Sequence, residues 1–458
     1  VTPSDHRILS LLFLCAAVMF NFGNISAAAL ASVIVATGLA ILSFSSRPVG
    51  RPLPRAAAVG TVIALGATTL FYNRFLAHPV FLGTFALLAT AIVLYSVAKA
   101  TPAKALALGL AAVSLVLGIA ANLSWGSATI DVFQLQQAAA QALLHAHNPY
   151  SPTVPSLQLV APGVPAWLQL HFPYGPILPV LEAPFRLLGD IRVLHLLAAL
   201  VISAAVLVLA RRAGTLGRSA CVVMAFPLTA GMVLYSWVDV ITMAGVAVWL
   251  VSFRTHPKIA TAALVVALLG KPTTVIALVP IVFWSVRARR QVITAALIAA
   301  AFVLPFAMAT GFSQFIYNVL GVDLAVLPRP DSLTFNAYLV SLKLPLLPFA
   351  VSAVVVALTA VLVLRRRPAT YGDLLTGTAV LAIVSFLVAK WAHFNYYYIP
   401  AILLMLAIAG DGLALDTPEM IAPPAALVRS AAWCRAAANR LLPRRPVRGA
   451  LTPGRDPG

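Results

Sequence analysis

Long apolar runs alternate with short polar breaks along this chain. The runs cover about 8–22, 26–45, 56–73, 80–98, 105–123, 192–210, 220–237, 239–254, 259–270, 272–285, 291–310, 346–364, 372–390 and 397–413. Most are long enough to cross ~30 Å of hydrocarbon as helices of ~20 residues. The pattern therefore predicts an all-α polytopic integral membrane protein with about 14 membrane helices. The runs 259–270 and 272–285 are short and meet at Gly270-Lys271-Pro272. They read either as one broken helix or as two short helices that turn back. The first run lacks a small-residue cleavage site and is expected to be a retained span.

Two breaks are long, 124–191 and 311–345. Long loops that are not linkers tend to carry function. Within the first, the Ala- and Gln-rich stretch 131–146 predicts a helix. A second, amphipathic stretch runs from Ile177 to Leu188 and leads into the next span.

Composition agrees with a membrane setting. Of 458 residues, 61% are hydrophobic and 9% charged. A soluble domain is about 45–50% apolar and about 25% charged, and disorder needs low hydrophobicity. The three cysteines, Cys15, Cys221 and Cys434, have no spacing of a disulfide framework or a zinc site.

The net charge of +19 changes meaning once each charge is placed. An even number of spans puts 24 of the 31 Lys and Arg residues on one side, where they dominate nearly every short loop and the tail. By the positive-inside rule that side is cytoplasmic. The expected location is the plasma (cytoplasmic) membrane, multi-pass, with both termini cytoplasmic and the two long loops outside. The charge then reports topology rather than a nucleic-acid partner. Expected segments are 1–104 (accessory membrane helices), 105–413 (a membrane core) and 414–458 (a basic tail). Residues 424–442 of the tail can form a basic amphipathic helix on anionic lipid, or simply hold topology. No Walker loop or dinucleotide fingerprint is present.

The near-neutral outer side holds the candidate chemistry. Asp131 opens the 131–146 helix just after a span. An acid there can cap the helix, or serve as a carboxylate that takes a proton from a hydroxyl. Then follow His145-Ala146-His147-Asn148-Pro149-Tyr150 and His171-Phe172-Pro173-Tyr174-Gly175-Pro176. Further along are Lys271-Pro272 and His393-Phe394-Asn395-Tyr396-Tyr397.

This arrangement resembles the first outer loop of GT-C glycosyltransferases: an acid after a span, a helix ending in Asn-Pro-Tyr, and Tyr-Gly-Pro before a surface helix. The nearer similarity is to glycosyltransferase family 87 and the actinobacterial polyprenol-phosphate-mannose-dependent mannosyltransferases. Lys271-Pro272 resembles their lysine-proline turn, and the 393–397 run their late loop. The similarity covers roughly residues 105–410. It implies a GT-C fold with surface-lying helices in the first long outer loop. It implies transfer of a sugar, mannose first among the candidates, from a polyprenyl monophosphate to an acceptor hydroxyl outside the cytoplasm. It maps the general base onto Asp131, and substrate contacts onto His147, Asn148, Tyr150, His171, Tyr174, Tyr396 and Tyr397. The acceptor would be a glycolipid, a lipoglycan or another glycan of the cell envelope. Four spans precede the matching part and depart from the minimal pattern.

Cleaving a sugar–phosphate bond needs a base for the incoming hydroxyl and cations or donors for the departing phosphate. Lys271 is the leading phosphate candidate, because a lysine at a break in an apolar setting is costly; otherwise it snorkels from a span end. His393 and Arg329 are further donors, although Arg329 can pair with Asp331. Asp239 can bind sugar hydroxyls or pair with Lys390. No cofactor is expected. The histidines suggest a metal by type, but lipid-monophosphate donors in the resembled superfamily generally need none. One base and one attacking hydroxyl imply inversion at the anomeric carbon. Other readings are a transporter or flippase for a lipid-linked sugar, or the same scaffold transferring arabinofuranose, glucose or aminoarabinose.

Overall fold

The computed structural model describes residues 3–19, 26–45, 90, 131–152, 171–215, 229, 231–321, 328, 332–366, 368–390 and 392–415. Among them the protein is all-helical, with isolated bridges such as Ser332 with His393 and Thr370 with Ala414. The helices are α1 (Pro3–Met19), α2 (Ala27–Ser45), α3 (Asp131–Leu144), α4 (Ile177–Leu187), α5 (Arg192–Arg212), α6 (Asp239–Ser252) and α7 (Pro257–Gly270). They continue as α8 (Thr274–Trp284), α9 (Val286–Thr310), α10 (Phe312–Ile316), α11 (Phe335–Ser341), α12 (Phe349–Arg365), α13 (Tyr371–Leu387) and α14 (Tyr398–Ala409). A π-turn follows α10 at Tyr317–Gly321, and a 3₁₀ turn, Phe394–Tyr397, leads into α14.

The two helices expected in the first long loop are both present, as α3 and α4. Local chemistry sets several boundaries. Pro257 opens α7, where a missing N–H costs nothing. Ser285 and Thr334 cap α9 and α11 through their side-chain oxygens. Thr370 and Asp373 form a reciprocal capping box on α13. Gly311, at φ 87°, lets the chain leave α9 in the left-handed region.

Among the described helices, length and composition qualify two to cross a bilayer: α5 with 21 residues and α9 with 25. At 1.5 Å per residue they reach about 31 and 37 Å. The other apolar helices are shorter. The expected runs 56–73, 80–98 and 105–123, and most of 220–237, lie outside the described residues, Thr90 apart. So does the tail after residue 415. The 259–285 region is two helices, α7 and α8, separated by an extended Lys271 (φ −149°, ψ 119°). They pack on different neighbours, α7 mainly on α6 and α9, α8 mainly on α13.

Packing follows the absence of polar side chains rather than amphipathicity. Every residue of α14 and most of α6 and α13 are buried. The periphery is apolar too: Phe349, Leu358 and Leu362 of α12 and Leu297 and Met308 of α9 are exposed. A helical body that is apolar inside and outside matches a hydrocarbon surround. One compact unit spans Val1–Met420. In it α1 and α2 pack on α14 and α13, so the first two helices of the expected 1–104 segment are built into the core.

Helix ends sort into two sets. At one, Arg7 pairs with Asp373 and Asp411, Arg212 donates to the Val251 carbonyl, and Thr215 to that of Ala409. At the other gather 136–150, 171–176, 236–239, 269–271, 310–318, 332–334 and 389–397. The second set holds the candidate chemistry.

Candidate functional site

The site begins with a close approach of two helices. Gly245 of α6 lies so near α7 that a Cβ would sit 2.6 Å from the Ala263 carbonyl oxygen. Gly270 meets Thr242 at the same notional distance. Small residues thus let the α7 terminus press on the first turn of α6. Gly175 is tighter still: a Cβ there would lie 1.6 Å from the Leu269 carbonyl oxygen. The Tyr174-Gly175-Pro176 and Gly270-Lys271-Pro272 segments, nearly a hundred residues apart, are therefore in direct contact.

This seating carries Lys271 to Asp239. Nζ lies 2.9 Å from Asp239 Oδ1, with both side chains buried. Asn395 Nδ2 donates to Asp239 Oδ2 at 2.7 Å. The ammonium also sits 3.6 Å from the centroid of the Tyr396 ring, a cation–π contact in a desolvated setting. An ammonium has three donors, and one bonds a carboxylate here. Around the pair lie buried polar atoms without hydrogen-bond partners among the described residues: Thr242 Oγ1, Thr273 Oγ1, Thr274 Oγ1, Asn395 Oδ1 and the indole nitrogen of Trp237. Unmet buried groups cost about 1–3 kcal/mol each, so their concentration beside one ion pair is notable in a core this apolar.

Trp237 joins this cluster to the late loop. Its ring centroid is 6.4 Å from that of His393 and 5.8 Å from that of Phe394. His393 is fixed by its bridge to Ser332, with the Leu333 amide donating to the Ala392 carbonyl at 2.9 Å. Tyr397 donates to the Leu333 carbonyl. Tyr396 and Tyr397, adjacent in sequence, thus have different tasks: one faces the cation, the other ties two loops.

The first-loop motifs form a clasp. Asn148 Oδ1 accepts from the Tyr150 amide, and its Nδ2 donates to Thr310 Oγ1 at 2.9 Å. The Tyr150 hydroxyl donates to the Tyr174 carbonyl at 2.8 Å. His171 Nδ1 lies 3.2 Å from the Tyr150 carbonyl oxygen. Tyr150 packs edge-on against Phe172 and Phe315. Burial pushes its phenol well above the usual tyrosine range, which keeps the hydroxyl a donor. His147 stays exposed beside Ala146, whose φ is 56°.

Asp131 starts α3, where Oδ1 accepts from the Val132 amide at 2.8 Å. That bond goes to the next residue's amide rather than to the second or third amide that a helix cap meets, and the side chain keeps partial exposure. Gln136, one turn on, reaches across to the Ser236 carbonyl at 2.6 Å. This bond ties the Asp131 helix to the chain just before Trp237 and Asp239.

Of the residues singled out from sequence, Lys271, Asp239, Tyr396 and His393 gather around Trp237. Asn148, Tyr150, His171 and Tyr174 gather in the clasp. Asp239 pairs with Lys271 rather than with Lys390, because α7 ends against the first turn of α6. Lys271 accordingly is an ion-paired lysine, not a bare or snorkelling one. Arg329 and Asp331 lie outside the described residues. Among the described residues no three of His, Cys, Asp and Glu come together to hold a metal ion. Gln136, Asn395 and Ser236 were not legible as site residues. For Asn395 the usable signal was an amide within an aromatic run at a span end; Gln136 and Ser236 carried none. No protein-family model, no curated protein and no solved structure matches this chain.

Proposed function

We propose that the protein is a membrane glycosyltransferase of the GT-C type. It moves a sugar, with mannose the first candidate, from a polyprenyl monophosphate to an acceptor hydroxyl on the extracytoplasmic side. The observation that carries this reading is the buried Lys271–Asp239–Asn395 cluster, with unpartnered hydroxyls on Thr242, Thr273 and Thr274 within three residues of the pair along the chain, at the same end of an apolar helical body as the Asp131 helix. The body is suited to a polyprenyl chain in lipid, the cation to a phosphate, and the hydroxyl-rich surround to a sugar.

In the proposed reaction the acceptor oxygen attacks the anomeric carbon while Asp131 takes its proton. The carbon–oxygen bond to phosphate breaks, and the electron pair leaves with the polyprenyl phosphate. Lys271 and His393 stabilise that developing charge. Asp239 holds the lysine in place, Asn395 holds Asp239, and the Tyr396 ring packs against the ammonium. Attack opposite the leaving group inverts the anomeric centre. Both termini are cytoplasmic in this reading, and the acceptor is a glycolipid, a lipoglycan chain or another glycan.

The test is transfer from radiolabelled polyprenyl-phosphate-mannose to membrane glycolipids by the purified chain in nanodiscs. Asp131→Asn is expected to lower the rate by about 10²–10⁴-fold. Full activity in that variant removes Asp131 from the role. Donors carrying arabinofuranose or glucose, run in parallel, decide the sugar. A buried ion pair between helices also suits a flippase for the same lipid. Movement of the labelled lipid between leaflets without product formation favours that second reading.

A further inference from the structure

The turn before α6 has an uncommon backbone. The Trp237 amide donates to the Met232 carbonyl at 2.8 Å, and the Ser236 amide to that of Val233 at 3.1 Å. Together these bonds close the preceding helical turn as a Schellman motif, with Ser236 at the left-handed position where glycine is usual. Ser236 holds φ at 53° and is fully buried. A non-glycine residue in that region stores about 1–3 kcal/mol and persists only where its surroundings hold it.

Two helices do the holding. Gln136 of α3, fully buried, donates Nε2 to the Ser236 carbonyl at 2.6 Å. The His195 ring of α5 lies against the Ile191 and Ser236 backbone. The Gln136 amide also donates to the Val132 carbonyl, one turn back on its own helix, at 3.0 Å. Both amide hydrogens are then engaged, which leaves the side chain one setting.

The Gln136–Ser236 bond joins the two ends of the proposed chemistry. Asp131 lies five residues before Gln136 on the same helix, about 7.5 Å of rise. Asp239 lies three residues after Ser236, at most about 10 Å of chain, and holds Lys271 at 2.9 Å. As a helix α3 packs mainly on α4, and through Phe133 it also meets Tyr235. Apolar contacts are non-directional, whereas a short hydrogen bond fixes direction and distance. A misplacement of about 1 Å in an active site can cost about a hundredfold in rate.

We infer that Gln136 is a positioning residue: its bond to the Ser236 carbonyl sets the Asp131 carboxylate relative to the Asp239–Lys271 pair. This rests on the transferase reading with Asp131 as base, and adds to it the residue that places the base.

The experiment measures kcat and KM for polyprenyl-phosphate-mannose with the full chain in nanodiscs, per folded molecule, for wild type, Gln136→Met, Asp131→Asn and the double variant. Gln136→Met is expected to lower kcat about 10–100-fold with the donor KM unchanged, because the Lys271 pair stays intact. In the Asp131→Asn background the same substitution should lower kcat no further, since the two residues act as a unit. A general loosening of the fold lowers the rate by the same factor in both backgrounds, and that result overturns the inference. Gln136→Glu is the conservative variant: protonated it keeps a donor for the carbonyl, ionised it does not. Its rate relative to wild type should rise as pH falls, with no such rise in the Asp131→Asn background, a comparison that stands even if Gln136→Met does not fold. The same pH trend in both backgrounds, or none in either, also overturns the inference. Wild-type protein that transfers sugar while Gln136→Met matches its kcat removes Gln136 and leaves the transferase reading standing. Wild-type protein that transfers no sugar overturns the transferase reading and the inference together.

Discussion

Removing Lys271 while Asp239 stays in place should destabilise the protein far more than removing both charges. At 2.9 Å and an effective dielectric near 20, the pair attracts by about 6 kcal/mol. Desolvation of two buried ions offsets much of that. Lys271→Met strands a fully buried carboxylate whose remaining bond comes from Asn395. The expected cost is about 3–5 kcal/mol. Lys271→Met combined with Asp239→Asn leaves no charge, and the new amide oxygen still accepts from Asn395. The double variant should lose only about 1 kcal/mol. The coupling energy, both single losses minus the double's, is then about 2–4 kcal/mol plus whatever Asp239→Asn costs by itself. The assay is reversible unfolding in mixed micelles, followed by tryptophan fluorescence and far-UV circular dichroism for wild type, both singles and the double. Additivity within about 0.5 kcal/mol would refute the pairing.

Three further outcomes follow from packing and protonation elsewhere in the unit. Glu182 on α4 is fully buried with both oxygens unpartnered among the described residues, and burial raises its pKa from 4.5 to about 8. The folded state keeps a proton there that the unfolded chain releases, so stability should fall from about pH 4.5 to pH 8 by up to about 1.4 kcal/mol per unit. Glu182→Gln should flatten that component in a pH series of unfolding midpoints; an identical slope in both proteins would disprove it. Gly175→Ala places a methyl 1.6 Å from the Leu269 carbonyl oxygen, so it should cost more than about 3 kcal/mol and loosen the seat of Lys271, measurable as lost expression of folded protein and faster proteolysis between α3 and α4. Arg7→Leu leaves Asp373 and Asp411 facing each other; their 29% and 22% exposure limits the loss to about 2 kcal/mol, read as a lower unfolding midpoint that the double variant with Asp411→Asn partly restores.

The sequence by itself determined the kind of molecule. Runs of apolar residues without polar alternation give helices buried on every side, as in α14, or apolar on an exposed face, as in α12. Local signals also placed α3 and α4 in the first long loop, and the break at Lys271. These features depend on neighbours within a few residues, which a linear reading sees. Pairings between distant segments were decided only in three dimensions. Lone opposite charges in apolar surroundings told that Asp239 and Lys271 need partners, not that they are each other's. That choice depends on Gly245, Gly270 and Gly175, whose missing side chains let helices and loop approach until 32 and 156 residues of separation close to hydrogen-bond distance. The roles of Asn148 and Tyr150 as a clasp, and the convergence of Gln136 and His195 on Ser236, have the same origin. Burial leaves a polar atom no water to bond, so the tertiary fold alone determines which partner it meets and which atoms it leaves for a ligand.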